Sequence, residues 1–269
     1  MAPGLLLNTA ICFAIAVSSL TLAWLLVKKS PEYDEKAKPA LWALISFWII
    51  VGLIYIPTTI RMFAAYQANA AMDLLFYQIA SFFFAFLSVP IIYFIVFILS
   101  GNKRITRIVS IMFAVMGIIY LSILHSCGVV GPAVLDWGSL ITVNSDFAIH
   151  LYLTVLFIIP TAMILGLFLL MVLQRIALGI IYKKALPLVA ISFVLDFILI
   201  DFIVMIDPMQ LFARTFVFIG VILAFLAYFP PEFLNDKSEN FEYDDTDLDF
   251  DDLEDLDIKD SSLEEINDR

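Results

Sequence analysis

Seven stretches of this chain are long and apolar enough to cross a lipid bilayer as helices: Leu5–Val27, Ala40–Ile60, Leu74–Leu99, Ile108–Leu124, Phe147–Leu173, Leu186–Ile206 and Leu211–Phe229. A crossing takes roughly 20 apolar residues, and in lipid only a helix or a closed barrel satisfies its own backbone. Of the 269 residues, 62% are hydrophobic and 15% charged. Soluble domains run at about half apolar and a quarter charged. A soluble body of this size has no interior large enough for such a surplus, so the composition requires lipid as a solvent. The expected fold class is all-α: a polytopic membrane protein, a seven-transmembrane helix bundle over residues 1–234, with a disordered acidic tail over 235–269. Pro57, Pro90 and Pro160 fall inside the second, third and fifth runs, where a proline kinks a membrane helix. Pro230-Pro231 stops the last.

Basic residues set the orientation. The loops 28–39, 100–107 and 174–185 hold Lys28, Lys29, Lys36, Lys38, Lys103, Arg104, Arg107, Arg175, Lys183 and Lys184. The opposite side holds only Arg61 and Arg214. Under the positive-inside rule this places the N-terminus outside and the C-terminus inside, in a cell membrane. The first run has no basic residue ahead of it and is followed by Lys28-Lys29, so it reads as an uncleaved helix and not as a signal peptide. The longest connection, Ser126–Asp146, contains Gly128, Gly131, Pro132 and Gly138 and is not a continuous helix. Its Val129, Val130, Val134, Leu135 and Trp137 suit either a segment folded over the outer mouth of the bundle or an ordinary interfacial loop.

The formal charge of -11 belongs to the tail. From Glu232 onward there are 17 acids and 3 bases; upstream there are 9 acids and 12 bases. The segment FEYDDTDLDFDDLEDLDIKD has too little apolar bulk for a core and too much like charge to collapse. Leu248, Phe250, Leu253, Leu256 and Ile258 interrupt the acids. Such a mix fits docking on a basic cytoplasmic protein partner, or a solvated tail with none.

Several chemistries are excluded. A retinal protein needs a Schiff-base lysine in its last helix, and the seventh run has no lysine. A zinc hydrolase needs several His or acidic ligands; the chain has two histidines, His125 and His150. The Asp245, Asp247, Asp249 spacing starts like a calcium loop, but Phe250 and Leu256 stand where glycine and glutamate are required. Cys12 and Cys127 offer at most one pair and read as small apolar residues. No catalytic or cofactor motif, and no nucleic-acid motif, is present; the chain is not expected to be an enzyme.

Charge inside the membrane is the remaining signal. The sixth run carries Asp196 near mid-depth and Asp201 further out. At ~100° per residue they lie ~140° apart, so they do not share a face. Such residues cost free energy unless they meet a partner or a cavity. The candidate ligand-binding set is Asp196, Asp201, Arg214, Arg61 and His150, forming an outward-opening polar pocket. The competing reading is a structural Asp–Arg pair that fixes helix six against helix seven.

The stretch LLFYQIASFFFAFLSVPIIYFIVFILSGNKRITR leads from an aromatic-rich outer end through a proline to a very short basic turn. With the long loop after the fourth run and the terminal LAYFPPEF, it resembles the N-terminal seven-helix sensor region of prokaryotic histidine kinases over about Ala40–Phe229. No kinase domain follows. The resemblance implies an extracytoplasmic sensor that signals through a partner. The leading expectation is a membrane receptor or sensor; the alternatives are a small secondary transporter or channel subunit using Asp196 and Asp201, or a scaffold that anchors the tail.

Overall fold

The computed structural model of the chain describes residues 3–32, 35, 37–147, 152–173, 178–203 and 207–229. The chain divides into two units, Met1–Pro230 and Pro231–Arg269. The expected tail, 235–269, lies wholly in the second and outside the described residues; His150, in the first, is outside them too.

The first unit is mostly helical. Helix α1 is Pro3–Lys29 and α2 is Lys38–Tyr66. Cys12, Ile15, Ala16, Ser19, Leu22, Ala23 and Leu26 are buried in α1, a seam at steps of three and four that keeps one helix face inward. Gly52 of α2 meets this seam so closely that a Cβ there would overlap Leu20. Helix α3, Ala70–Phe84, is capped by Asn69, whose side chain accepts from the Met72 amide at 3.1 Å. Helix α4 is Ser88–Ser100 and α5 is Lys103–Cys127. Between them Gly101 takes a left-handed φ of 60° and Asn102 caps α5, the glycine stop and asparagine start that a two-residue turn requires. Helices α6, Ile159–Leu173, α7, Leu178–Ile203, and α8, Asp207–Tyr228, complete the unit. The most extensive packing is α1 on α2, α7 on α8 and α2 on α3.

Among the described residues, five segments have the length and apolar composition to cross a bilayer: α1, α2, the α3–α4 pair, α5 and α8. This is the architecture of a multi-pass membrane protein. The outward faces agree: Ile108, Ile111, Met112, Val115 and Ile118 all lie exposed on α5, an apolar strip that water would not tolerate. Helices α6 and α7 occupy the fifth and sixth expected runs.

The structure corrects three details of the sequence reading. The expected loop 174–185 is shorter, because α7 already begins at Leu178 and Lys183 and Lys184 are helical; Leu178 to Tyr182 hold no proline, and a single Gly179 costs a helix only about 1 kcal/mol. The expected single third helix is two, α3 and α4. Pro90 has no N–H for the carbonyl of Phe86 and crowds it. That region turns through shorter bonds, Phe86 to Phe83 and Leu87 to Phe84. The all-α expectation is amended by a β-hairpin, described below.

The three prolines act differently. Pro57 sits inside an unbroken α2, where the Thr58 and Thr59 hydroxyls donate to the carbonyls of Ile54 and Tyr55 at 2.7 Å. Pro160 follows a π-helical turn, Tyr152–Ile158, that leads into α6. The two irregular segments meet: Phe84, at the end of α3, packs on Phe157 of the π turn with ring centroids 5.4 Å apart.

Candidate functional site

The segment between α5 and α6 folds as an antiparallel hairpin of β1, Val129–Val134, and β2, Ser139–Val143. Val129 pairs with Val143 and Val134 with Ser139, with an irregularity after Val130. Gly131 stands there at φ +119° with the Leu140 carbonyl against it, a position closed to any side chain. Ser139, Ile141 and Val143 are buried while Leu140 and Thr142 are half-buried, the two-residue alternation of a strand with one face on a core. The alternation in SLITV, ahead of which stands a Gly-containing turn, is the signal that the sequence reading passed over.

Two buried ion pairs hold this hairpin to the helices. Arg61 of α2 donates through Nε to Asp73 of α3 at 2.7 Å. Its Nη2 donates to the Ser139 carbonyl, and the Ser139 hydroxyl donates to the other oxygen of Asp73. The three residues thus form a closed ring. Asp73 lies in the first turn of α3, where the helix dipole also favours a carboxylate. Arg214 of α8 donates through Nε to both oxygens of Asp201 on α7 at 3.0 Å, and through Nη1 to Asn8 of α1 at 2.9 Å. The Asn8 amide in turn donates to the Trp137 carbonyl at 2.6 Å.

The hairpin tip has a third attachment. Asp207, the first residue of α8, accepts from the amides of Asp136 and Trp137 at 3.1 and 3.0 Å. Gly4 of α1 lies flat against the Trp137 ring, and Gly138 against the Gln210 side chain. Four helices therefore grip one hairpin through Asn8, Arg61, Asp73 and Asp207, while Asp201 of α7 and Arg214 of α8 hold Asn8 from behind.

Next to these pairs is a cavity of about 50 Å³, partly open. Arg61, Asp201 and Arg214 line it together with Tyr55, Tyr77 and Phe84. Three of the five residues singled out from the sequence are thus brought together. Asp196 is not: it accepts from Thr161 of α6 at 3.1 Å. Asp196 and Asp201 have separate partners on separate faces. His150 lies outside the described residues. The sequence reading missed Asp73, Asn8 and Ser139. Asp73 stands one residue ahead of an apolar run and Asn8 is an amide inside one; an acid a few turns from Arg61 and a buried amide are signals that pairing arguments can use.

Compared with known proteins, the chain matches no family model and no curated protein.

Proposed function

We propose that this chain is a membrane receptor or sensor with seven crossings, its N-terminus outside and its acidic tail in the cytoplasm. The observation that carries the reading is the latch at one end of the bundle. One hairpin is tied by side-chain bonds to α1, α2, α3 and α8, and the same ion pairs line a cavity. An event that loosens the hairpin changes the bonding of four helices at once, which is how a two-state element carries a signal. The orientation is supported by charge: Arg61 and Arg214, the two bases assigned to the outer side, are buried and ion-paired and so are not loop charges. The output passes to a cytoplasmic partner through the tail.

The test is a pull-down from detergent extract with three forms: the full chain, a chain stopped after Glu232, and Asp73→Asn. A sensor yields a partner that is lost with the tail and whose recovery changes when the latch is weakened. Identical recoveries from all three overturn the reading. A transport function is the second reading, favoured by the Asp196–Thr161 bond and by the two interrupted helices. It requires uptake that falls in Asp196→Asn.

A further inference from the structure

The latch leaves polar groups of the cavity lining unused, the hydroxyls of Tyr55 and Tyr77. The Tyr55 hydroxyl is buried and has no hydrogen-bond partner among the described residues. Native structures rarely leave such a group alone. Tyr55 lines the cavity beside Arg61, Asp201 and Arg214, so the natural partner of its hydroxyl is whatever the cavity holds.

Size and charge narrow the occupant. One water needs roughly 10–15 Å³ of such a cavity, so the 50 Å³ present accommodates a few water-sized groups. Drug-sized ligands need roughly 300 Å³ or more. The surrounding charges already cancel: Asp73 balances Arg61 and Asp201 balances Arg214. An ion brought in would add an uncompensated charge in a poorly solvated place. The lining offers complementary polarity, because arginine only donates, a carboxylate only accepts, and the tyrosine hydroxyl does either.

We infer that the cavity of Tyr55, Arg61, Asp201 and Arg214 is a binding site for a small neutral molecule carrying both a hydrogen-bond donor and an acceptor, of the simple amide class. The inference rests on the sensor reading only for its purpose; binding is measured without any signalling readout, so either can fail alone.

The test titrates acetamide, with acetate as its charged counterpart, against the full chain in nanodiscs while the thermal unfolding midpoint is followed. Two variants accompany the wild type. Tyr55→Phe removes only the hydroxyl. Ala80→Val fills the cavity at another lining position and keeps every polar group. The expected result is a saturable rise with acetamide, a half-saturating concentration about five- to tenfold higher in Tyr55→Phe, no saturation in Ala80→Val, and no saturable response to acetate. A shift that stays linear and equal in all three proteins overturns the inference and leaves the cavity to water. A saturable response to acetate but not to acetamide overturns the neutral class.

Discussion

Arg61 near the end of α2 and Asp73 at the start of α3 are joined at 2.7 Å across a three-residue turn, and both bond Ser139 of the hairpin. The pair is therefore two devices in one. It closes the α2–α3 corner, and it presents a fixed acceptor and donor to a strand some 66 residues further on.

Removing one member strands the other in a buried place. Breaking such a pair costs about 3–5 kcal/mol, while replacing both members by apolar groups is often neutral. Asp73→Asn and Arg61→Gln should each lower the thermal unfolding midpoint strongly. Arg61→Leu combined with Asp73→Leu should lower it by less than either single change to leucine. A double variant that loses the sum of the two singles would show that the pair does not act as a unit.

The grip on the hairpin tip is open to a local test. Asp207 accepts two backbone amides, and a hydrogen bond to a charged group contributes about 1.5–3 kcal/mol. In Asp207→Ala the amides of Asp136 and Trp137 should exchange with deuterium at least about tenfold faster. The Leu135 amide, bonded to the Gly138 carbonyl at 2.8 Å, should change less. Equal acceleration over all of 129–143 would mean that the hairpin detaches as a whole.

The parts legible in the sequence are those set by the bilayer. Run length marks α1, α2, α5 and α8 because a crossing has a fixed thickness. The Asp201–Arg214 pair was legible as one of two readings, since a charge at membrane depth needs a partner. The hairpin was not, because Val129–Val143 holds glycines and a proline that also describe a plain loop. Asp73 was hidden by position: one residue ahead of an apolar run, it counts as a loop acid until α2 and α3 are seen to meet. The break at Ala85–Leu87 was half visible. Pro90 marks a disturbance, but whether a proline kinks, splits or is absorbed depends on neighbours, as Pro57 shows.

One neighbour of that break is Gly117. A Cβ at this position of α5 would overlap the Ala85 carbonyl, and backbone cannot step aside cheaply. Gly117→Ala should therefore destabilise by about 1–3 kcal/mol. Gly166 of α6 has nothing within 4 Å of the same point, so Gly166→Ala should be neutral or add up to about 1 kcal/mol. Thermal unfolding of the two variants in one detergent compares them directly. A reversed order would mean that α5 does not lie against the α3–α4 junction.

Asp196 and Asp201 are five residues apart on one helix, yet their bonds lead to different places: Thr161 of α6 for one, Arg214 of α8 for the other. They share no partner, and this makes their independence measurable. Changes at sites without common partners add to within about 0.5 kcal/mol, whereas members of one network do not. Asp196→Asn combined with Asp201→Asn should therefore lose the sum of the single losses. Asp201→Asn combined with Arg214→Gln should lose clearly less than its sum, because the first change already leaves the partner alone. Asp196→Asn should also leave exchange at Asp136 and Trp137 untouched, while Asp201→Asn should speed it, since Arg214 bonds the Asn8 side chain that holds the Trp137 carbonyl. If Asp196→Asn loosens the hairpin as well, the two carboxylates belong to a single network running from the α6–α7 contact to the hairpin.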